Sequence, residues 1–560
     1  MTWCFNCELD QKKDHLALCK ELGHDIDSEG SFQITRNEIN KMNDIAKEKQ
    51  TQTEESHAEK LAKCVTPLMT KLVVSQSDNT RVFAVVKTNN HSETIELDKK
   101  NPKTINLFMV IAHAKLKHMY SEETCANAIG FLRAKALTKE ETKREAIHIR
   151  VAYVNGEIYY DFGRPDWKLI KITKDEIRFV DYSENTPMFI RTPKIAQQVE
   201  PNLRPDGDPL DEFVKLCKMP NPELCKVQLT GLFLEGIPTP IMAMHGHAGA
   251  AKSTTSSMIK RIIDPSGIKN EDNLKSFPHG EDNFVTSLSS SYFSAFENIS
   301  HIDTETSNML CRAITGGSFE KRAQYTNGDI YTISLKRKIL INGVDFAINQ
   351  SDLADRTILS ELERISEDQR KTDKFIEDAF QRLLPDLLGQ IFLILEKALR
   401  KIDEIENQIK NLPRMASFGI YGEAIYQALG HKQGEFLKLY NESIRKNLEN
   451  LYDSNPIIAC LEYVLGDKKE CNLQANALYS KIKKFAESEE YNLKKLPQGS
   501  NGLYNWFTRS KTLLDENNIN VTKYSNKQSR ERSGFTPNAT IYNIKRIVST
   551  QTALDNELGL

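Results

Sequence analysis

Apolar positions along the chain keep changing period, and the changes divide it. Between residues 63 and 145, the runs Lys71-Leu72-Val73-Val74 and Val82-Phe83-Ala84-Val85-Val86 suit strands. Residues 104–119 and 122–137 carry helical spacing, so a small α/β unit is predicted. From 146 to 200 the period is two. Ile147-His148-Ile149-Arg150-Val151-Ala152-Tyr153 alternates, Asn155-Gly156 is a hairpin signal, and Ile158-Tyr159-Tyr160-Asp161-Phe162 alternates again. Residues 167–172, 177–180 and 188–191 continue this β-rich module, and Pro201, Pro205 and Pro209 mark a linker. Residues 211–400 mix buried strands with helices. Residues 371–412 and 420–452 are helical, with Phe375, Ala379, Phe380, Leu383, Leu384 and Leu387 on one face, and 401–453 reads as a lid or collar. Residues 456–548 run helix (457–465), helix (475–488), helix (503–516), strand (520–524) and strand (540–547), the order of a winged helix. Residues 29–62 are polar and read as a solvated helix with a linker, and 549–560 as a frayed tail.

Chemistry concentrates where one apolar strand breaks. Ile241-Met242-Ala243-Met244 leads into Gly246-His247-Ala248-Gly249-Ala250-Ala251-Lys252-Ser253-Thr254, and a helical pattern follows. A phosphate-binding loop needs backbone N–H groups free to turn inward, a lysine for the β/γ-phosphates and a hydroxyl for Mg²⁺. Gly246 and Gly249 supply the freedom, Lys252 the charge, Ser253 and Thr254 the hydroxyls. Ala251 stands where a glycine is usual, and its methyl is tolerated if that residue keeps a helical φ.

Downstream, Tyr292-Phe293-Ser294-Ala295-Phe296-Glu297 reads as a buried strand tipped by an acid. Placed beside the phosphate-loop strand, Glu297 would hold the Mg²⁺ water shell. The next residue is Asn298, which cannot take a proton, and Asp303 or Glu305 is the nearby candidate to orient water. A Thr315-Gly316-Gly317 stretch opens a hairpin around Asn327-Gly328-Asp329. Lys321, Arg322, Lys336, Arg337 and Lys338, with Tyr325 and Tyr331, form a basic, aromatic patch suited to a nucleic-acid strand. Lys338-Ile339-Leu340-Ile341-Asn342 is another buried strand, ending in an amide able to bond a γ-phosphate or the attacking water. Ser351-Asp352-Leu353-Ala354-Asp355-Arg356 sets an arginine at a helix end, placed to reach a neighbouring subunit's nucleotide.

This succession resembles the superfamily 3 helicase branch of AAA+ ATPases. More closely, it resembles the primase-associated helicase-like ATPases of phages, plasmids and integrated elements, in which Gly-x-x-Gly-x-Ala-Lys-Ser is common. The likeness extends to the β-rich module (Gly156, Tyr159-Tyr160-Asp161-Phe162-Gly163, Trp167, Phe189-Ile190-Arg191) and to Leu412-Pro413-Arg414-Met415-Ala416-Ser417-Phe418 with Gly422 and Ala428-Leu429-Gly430. The resemblance implies a homo-oligomeric ring, a hexamer, that hydrolyses ATP with Mg²⁺ at subunit interfaces and moves along single-stranded DNA in its channel. Lys252, Glu297, Asn342 and Arg356 would be its catalytic residues.

Cysteine placement adds a further cofactor. Of ten cysteines, Cys4, Cys7 and Cys19 fall near the start with His24, spaced by two, eleven and four residues, close to a zinc finger over 1–28; His15 is a rival ligand. So short a unit would depend on Zn²⁺ to fold. The net charge of −2 excludes a global basic field, so DNA contacts must be local. In the winged helix these are Arg509 and Lys511 on the third helix and Lys527, Arg530 and Arg532 in the wing, for duplex. No apolar run is long enough for a membrane span and no signal peptide is read, so a cytoplasmic, DNA-associated protein is expected. Residues 29–210 carry no paired-carboxylate motif of a polymerase-type primase, which places any priming activity on another chain. The sequence thus predicts a multidomain α/β protein with a central P-loop ATPase.

Overall fold

The computed structural model describes residues 55–88, 90–138, 142–266, 274–322, 330–344, 348, 350–454, 456–489, 491, 493, 496–524 and 539–547. The zinc ligands expected at Cys4, Cys7, His15, Cys19 and His24 lie outside the described residues, as do most of the charged linker, Tyr325 and the wing residues Lys527, Arg530 and Arg532. The chain divides into two units, Met1–Leu72 with Glu96–Thr142, and Val73–Ile95 with Lys143–Leu560.

In the first unit, helices α1 (His57–Val65), α2 (Pro102–Leu116) and α3 (Glu122–Thr138) pack on one another. A reciprocal cap starts α1: the Glu59 N–H donates to Ser56 Oγ at 3.2 Å, and the Ser56 N–H to the Glu59 carboxylate at 3.0 Å. Leu61, Val65, Phe108, Ala112, Cys125 and Ile129 are buried there.

The strands expected in the same stretch form a sheet of their own. β1 (Met69–Ser75), β2 (Val82–Lys87), β3 (Ser92–Glu96) and β4 (Arg144–Glu145) run in the order β3-β2-β1-β4. Val73, Phe83 and Val85 share a core with Ala152, Tyr159, Trp167 and Phe189 of the β-rich module, so the expected 63–145 unit is divided. Within that module the strand expected over 147–153 is interrupted. β5 (Ile147–His148) pairs instead with β10 (Met188–Phe189), and β6 (Val151–Val154) begins an antiparallel meander with β7 (Glu157–Asp161), β8 (Leu169–Ile172) and β9 (Ile177–Val180). Arg150 causes the break, because it takes a left-handed φ of 63° and is fully buried.

Next come α4 (Pro209–Leu216), α5 (Pro222–Gly231) and a parallel sheet. Its strands and helices alternate: β11 (Ile241–His245), α6 (Lys252–Ile263), β12 (Lys275–Ser276), α7 (Glu281–Ser289), β13 (Phe293–Glu297) and α8 (Thr304–Thr315). The hairpin β14 (Ser318–Arg322) and β15 (Ile330–Ser334) follows, then β16 (Lys338–Asn342), α9 (Ser351–Ala354) and β17 (Thr357–Glu361). The sheet order is β12-β13-β16-β11-β17, with every neighbouring pair parallel. A sheet covered on both faces needs apolar strands throughout, and β16 is buried at all its positions. That burial puts β16 at the centre of the sheet. It therefore separates β13 from β11, and the expectation that the acid-tipped strand lies beside the phosphate-loop strand is corrected.

α10 (Asp373–Leu399), α11 (Ile402–Gln408), α12 (Ala416–Ala428) and α13 (Glu435–Ser454) complete this body. The expected collar is not a separate body, since Phe392, Phe418 and Tyr440 share one continuous core with Ile341 and Phe296 of the sheet. Phe375, expected on the buried face of α10, is 50% exposed.

The final part has its own core around Leu461, Leu478, Leu503 and Ile544. α14 (Ile457–Leu465), β18 (Glu470–Gln474), α15 (Ala475–Ser488), α16 (Leu503–Arg509), α17 (Lys511–Glu516), β19 (Ile519–Tyr524) and β20 (Ile541–Arg546) build it, with sheet order β18-β20-β19. The third helix expected over 503–516 is two helices that meet at the buried Ser510, and β18 was not foreseen. Among the described residues, no helix is long and apolar enough to cross a membrane.

Candidate functional site

In an open parallel sheet, ligands sit beyond the carboxyl ends of the strands. Those ends bring together Gly246 after β11, Glu297 on β13, Asn342 on β16 and Glu361 on β17.

The loop from β11 to α6, where the sequence predicts phosphate binding, is shaped by close approach. Gly246 has φ 145°, and a Cβ there would lie 2.2 Å from the Leu362 carbonyl oxygen, so no other residue fits. Gly249 also has positive φ, 86°. Ala251 departs from expectation. It caps α6 in the left-handed region, φ 57° and ψ 25°, and not with a right-handed helical φ. For an alanine that conformation costs about 1–2 kcal/mol. Lys252 folds back on its loop, its Nζ donating to the carbonyls of Gly246 at 2.6 Å and His247 at 3.0 Å. Burial draws its pKa below the usual lysine value. Ser253 and Thr254 are exposed on the first turn of α6. Their hydroxyls, unbonded among the described residues, and the half-buried Glu297 carboxylate are hard oxygen donors of the kind Mg²⁺ takes.

Asn342 is 1% exposed. Its Oδ1 accepts the Asn298 N–H at 3.2 Å and its Nδ2 donates to Ser256 Oγ on α6 at 2.9 Å. The amide thus ties the tip of β13 to the phosphate-loop helix through the strand between them. Of the two candidates to orient water, Asp303 caps α8 by accepting the Thr306 N–H at 2.8 Å, and that bond holds its pKa below the usual carboxylate range. Glu305 lines a cavity of about 640 Å³ with Thr304, Asn308, Cys311, Arg312 and Asp352.

Arg356 is half-buried and pairs with Asp352, one turn back on α9, while Asp355 pairs with Arg414 at 2.7 Å. In the basic patch, Lys321 and Arg322 lie on β14. Two further cations of the patch turn inward, which corrects the expectation of an open basic surface. Arg337 Nε donates to the Leu288 carbonyl at 3.0 Å; Lys338 is buried, donating to the Ile237 carbonyl at 2.5 Å and Thr239 Oγ1 at 2.6 Å. Burial pushes the Lys338 pKa down to about 7. Lys336 donates to the Gly236 carbonyl at 2.9 Å. In the last domain, Arg509 ends α16, and Lys511, which starts α17, is exposed. Among the described residues no group of three His, Cys, Asp or Glu side chains is set to hold a metal.

Sequence reading missed what stands behind the loop. Asp264, just past α6, accepts from Lys260 at 2.7 Å, from Arg150 at 3.2 Å and from the Tyr292 N–H at 3.0 Å. Burial opposes its ionisation, but Lys260 and Arg150 outweigh it and hold its pKa at about 2. From the β-rich module, Tyr160 donates to the Ile263 carbonyl at 2.9 Å, Gln198 to the Arg261 and Ile262 carbonyls at 2.9 and 3.0 Å, and Arg150 to the Pro265 carbonyl at 3.1 Å. The carbonyls left open at the end of the phosphate-loop helix are thereby satisfied by another module.

Residues 210–445 match the model of the actinomycete integrative conjugative element replication protein family. No curated protein matches the chain. Among solved structures, the chain is similar to one titled "SCCmec type IV Cch - active helicase", at 12% identity and a TM-score of 0.41, covering 88% of this chain and 94% of that one. It is also similar to the apo form of the NrS-1 C-terminal region, at 10% identity and a TM-score of 0.35, covering 88% of this chain and 100% of that one.

Proposed function

We propose that this chain is an ATP-dependent DNA helicase or translocase of the superfamily 3-like AAA+ type, acting in the replication of a mobile element. One observation carries the reading: a phosphate loop, an acid and a buried amide converge at the carboxyl ends of a parallel sheet ordered β12-β13-β16-β11-β17. The family matched by residues 210–445 supports the replication role.

Gly246, Gly249 and Ala251 shape the loop, Lys252 binds phosphate, and Ser253 and Glu297 hold Mg²⁺, which neutralises phosphate charge when bound. Thr254 completes the first turn. Asn342 relays the state of the nucleotide between α6 and the tip of β13. Arg356 acts on the nucleotide of a neighbouring subunit, leaving Asp352 to do so. The β14–β15 hairpin, with Lys321, Arg322 and Tyr325 and with Lys336 at its base, faces single-stranded DNA in the channel of a homo-oligomeric ring, a hexamer. The last domain is a winged helix that holds duplex through Arg509, Lys511, Lys527, Arg530 and Arg532. Residues 1–28 bind Zn²⁺, and priming is left to a separate primase.

Asn298 favours a second reading, a replication initiator that uses ATP as an assembly switch with little unwinding, because an amide after Glu297 takes no proton. ATP turnover with and without single-stranded DNA separates the two. The motor reading expects stimulation by DNA. The initiator reading expects ATP-dependent assembly on DNA with unchanged, slow turnover.

A further inference from the structure

Strand β17 lies beside β11, with Glu361 opposite His245, and the chain leaving it stays on the phosphate loop. Leu362 donates its N–H to the His245 carbonyl at 2.8 Å, and Ile365 donates to the Gly249 carbonyl at 3.2 Å. Residues 362–371 thus form a strap along the loop, and Lys218 holds its far end by donating to Gln369 at 2.5 Å. Two guanidinium groups reach the middle of the loop from this strap. A Cβ built on Gly249 would lie 3.4 Å from Arg370 Nη2 and 4.0 Å from Arg364 Nε.

Both arginines are exposed, and among the described residues neither pairs with an acid, although Glu361, Glu363, Glu367 and Asp368 stand in the same segment. Arg370 Nε makes only a long bond, 3.4 Å, to the Ile365 carbonyl. Lys252 likewise meets carbonyls and no carboxylate. Three cations therefore stand at one short loop, and among the described residues none of them is ion-paired. Unpaired like charges gathered on one loop repel, and a polyphosphate, which offers several oxygens to each guanidinium, is an anion that relieves them.

We infer that Arg364 and Arg370 bind the phosphate chain of the nucleotide in cis, from the same subunit that supplies Lys252. The inference rests on the loop being a nucleotide site. It adds phosphate ligands that need no neighbouring subunit, unlike Arg356. A triphosphate carries more charge than a diphosphate, so it gains more from the strap.

The test is equilibrium binding of Mg-ADP and of a non-hydrolysable Mg-ATP analogue to the full chain. The variants are Arg364→Ala, Arg370→Ala, the matching lysine substitutions and Lys252→Ala, with thermal melting of each. The expected result is a loss of triphosphate affinity of about tenfold for each alanine variant, a smaller loss for diphosphate, partial recovery with lysine and unchanged melting. Triphosphate affinity within twofold of the unsubstituted chain in both alanine variants, with Lys252→Ala losing binding, overturns the strap and leaves the loop reading intact. Binding that survives Lys252→Ala overturns the loop reading itself.

Discussion

The side-chain oxygen of Asn342 accepts the backbone N–H of Asn298 at 3.2 Å. That bond holds the residue after Glu297 at φ 57°, a left-handed conformation that asparagine takes more readily than most side chains. An amide in place of a second acid is thus explained by the backbone. Asn298→Gly should keep stability and turnover, whereas Asn298→Glu should lose about 1 kcal/mol and gain no turnover. Melting curves and ATPase rates check both.

Asn342 also joins β16 to α6 through Ser256. Asn342→Ala leaves the part-buried Asn298 N–H without its acceptor and the buried Ser256 hydroxyl with only the weak Met244 Sδ acceptor. It should cost about 1–3 kcal/mol and lower turnover more than nucleotide affinity. Urea unfolding combined with a kcat-against-KM comparison tests this.

Ala251 is strained in the left-handed region. Ala251→Gly should raise stability by about 1 kcal/mol, less the backbone entropy that glycine adds to the unfolded chain. Ala251→Val should lower it. Thermal melting reads the sign directly.

How far the sequence discloses the site depends on how local each feature is. The phosphate loop, the Glu297 tip and the Asn342 tip are apolar strands that end in a polar residue, and such patterns need no partner to be recognised. The place of β16 between β11 and β13 depends on strand pairing, which no single stretch encodes. Arg150 sits in a run that alternates like a strand, so nothing local marks its inward turn. Arg364 and Arg370 stand among Glu361, Glu363, Glu367 and Asp368 with no motif around them, and only the pairing of β17 with β11 brings them to the loop. Arg337 and Lys338 look like surface cations, although Lys338 opens a fully buried strand.

Arg150 fastens the β-rich module to the end of the phosphate-loop helix. Arg150→Ala leaves the buried Asp264 with Lys260 as its one cationic partner among the described residues and should cost about 3–5 kcal/mol, with Arg150→Met losing less. If the β-rich module were an independent domain, urea unfolding would instead show its transition apart from that of the parallel-sheet domain. A single transition that moves as a whole is expected.

Lys338 carries a pH signature. Its folded pKa, about 7, lies below that of an unfolded lysine, near 10.4. Between those values the unfolded chain binds more protons than the native one, so the contribution to stability rises with pH from about 7 upward. The Lys338→Met variant should lose that rise. Urea midpoints measured from pH 6.5 to 9 for both chains are the check.

Strand unwinding is the direct readout of a motor driven at the loop that carries Lys252. Forked DNA substrates of both polarities are incubated with the full chain, ATP and Mg²⁺, alongside Lys252→Ala. ATP-dependent strand separation on one polarity is expected, abolished in the variant. No separation on either fork, or separation that survives Lys252→Ala, would contradict the motor reading.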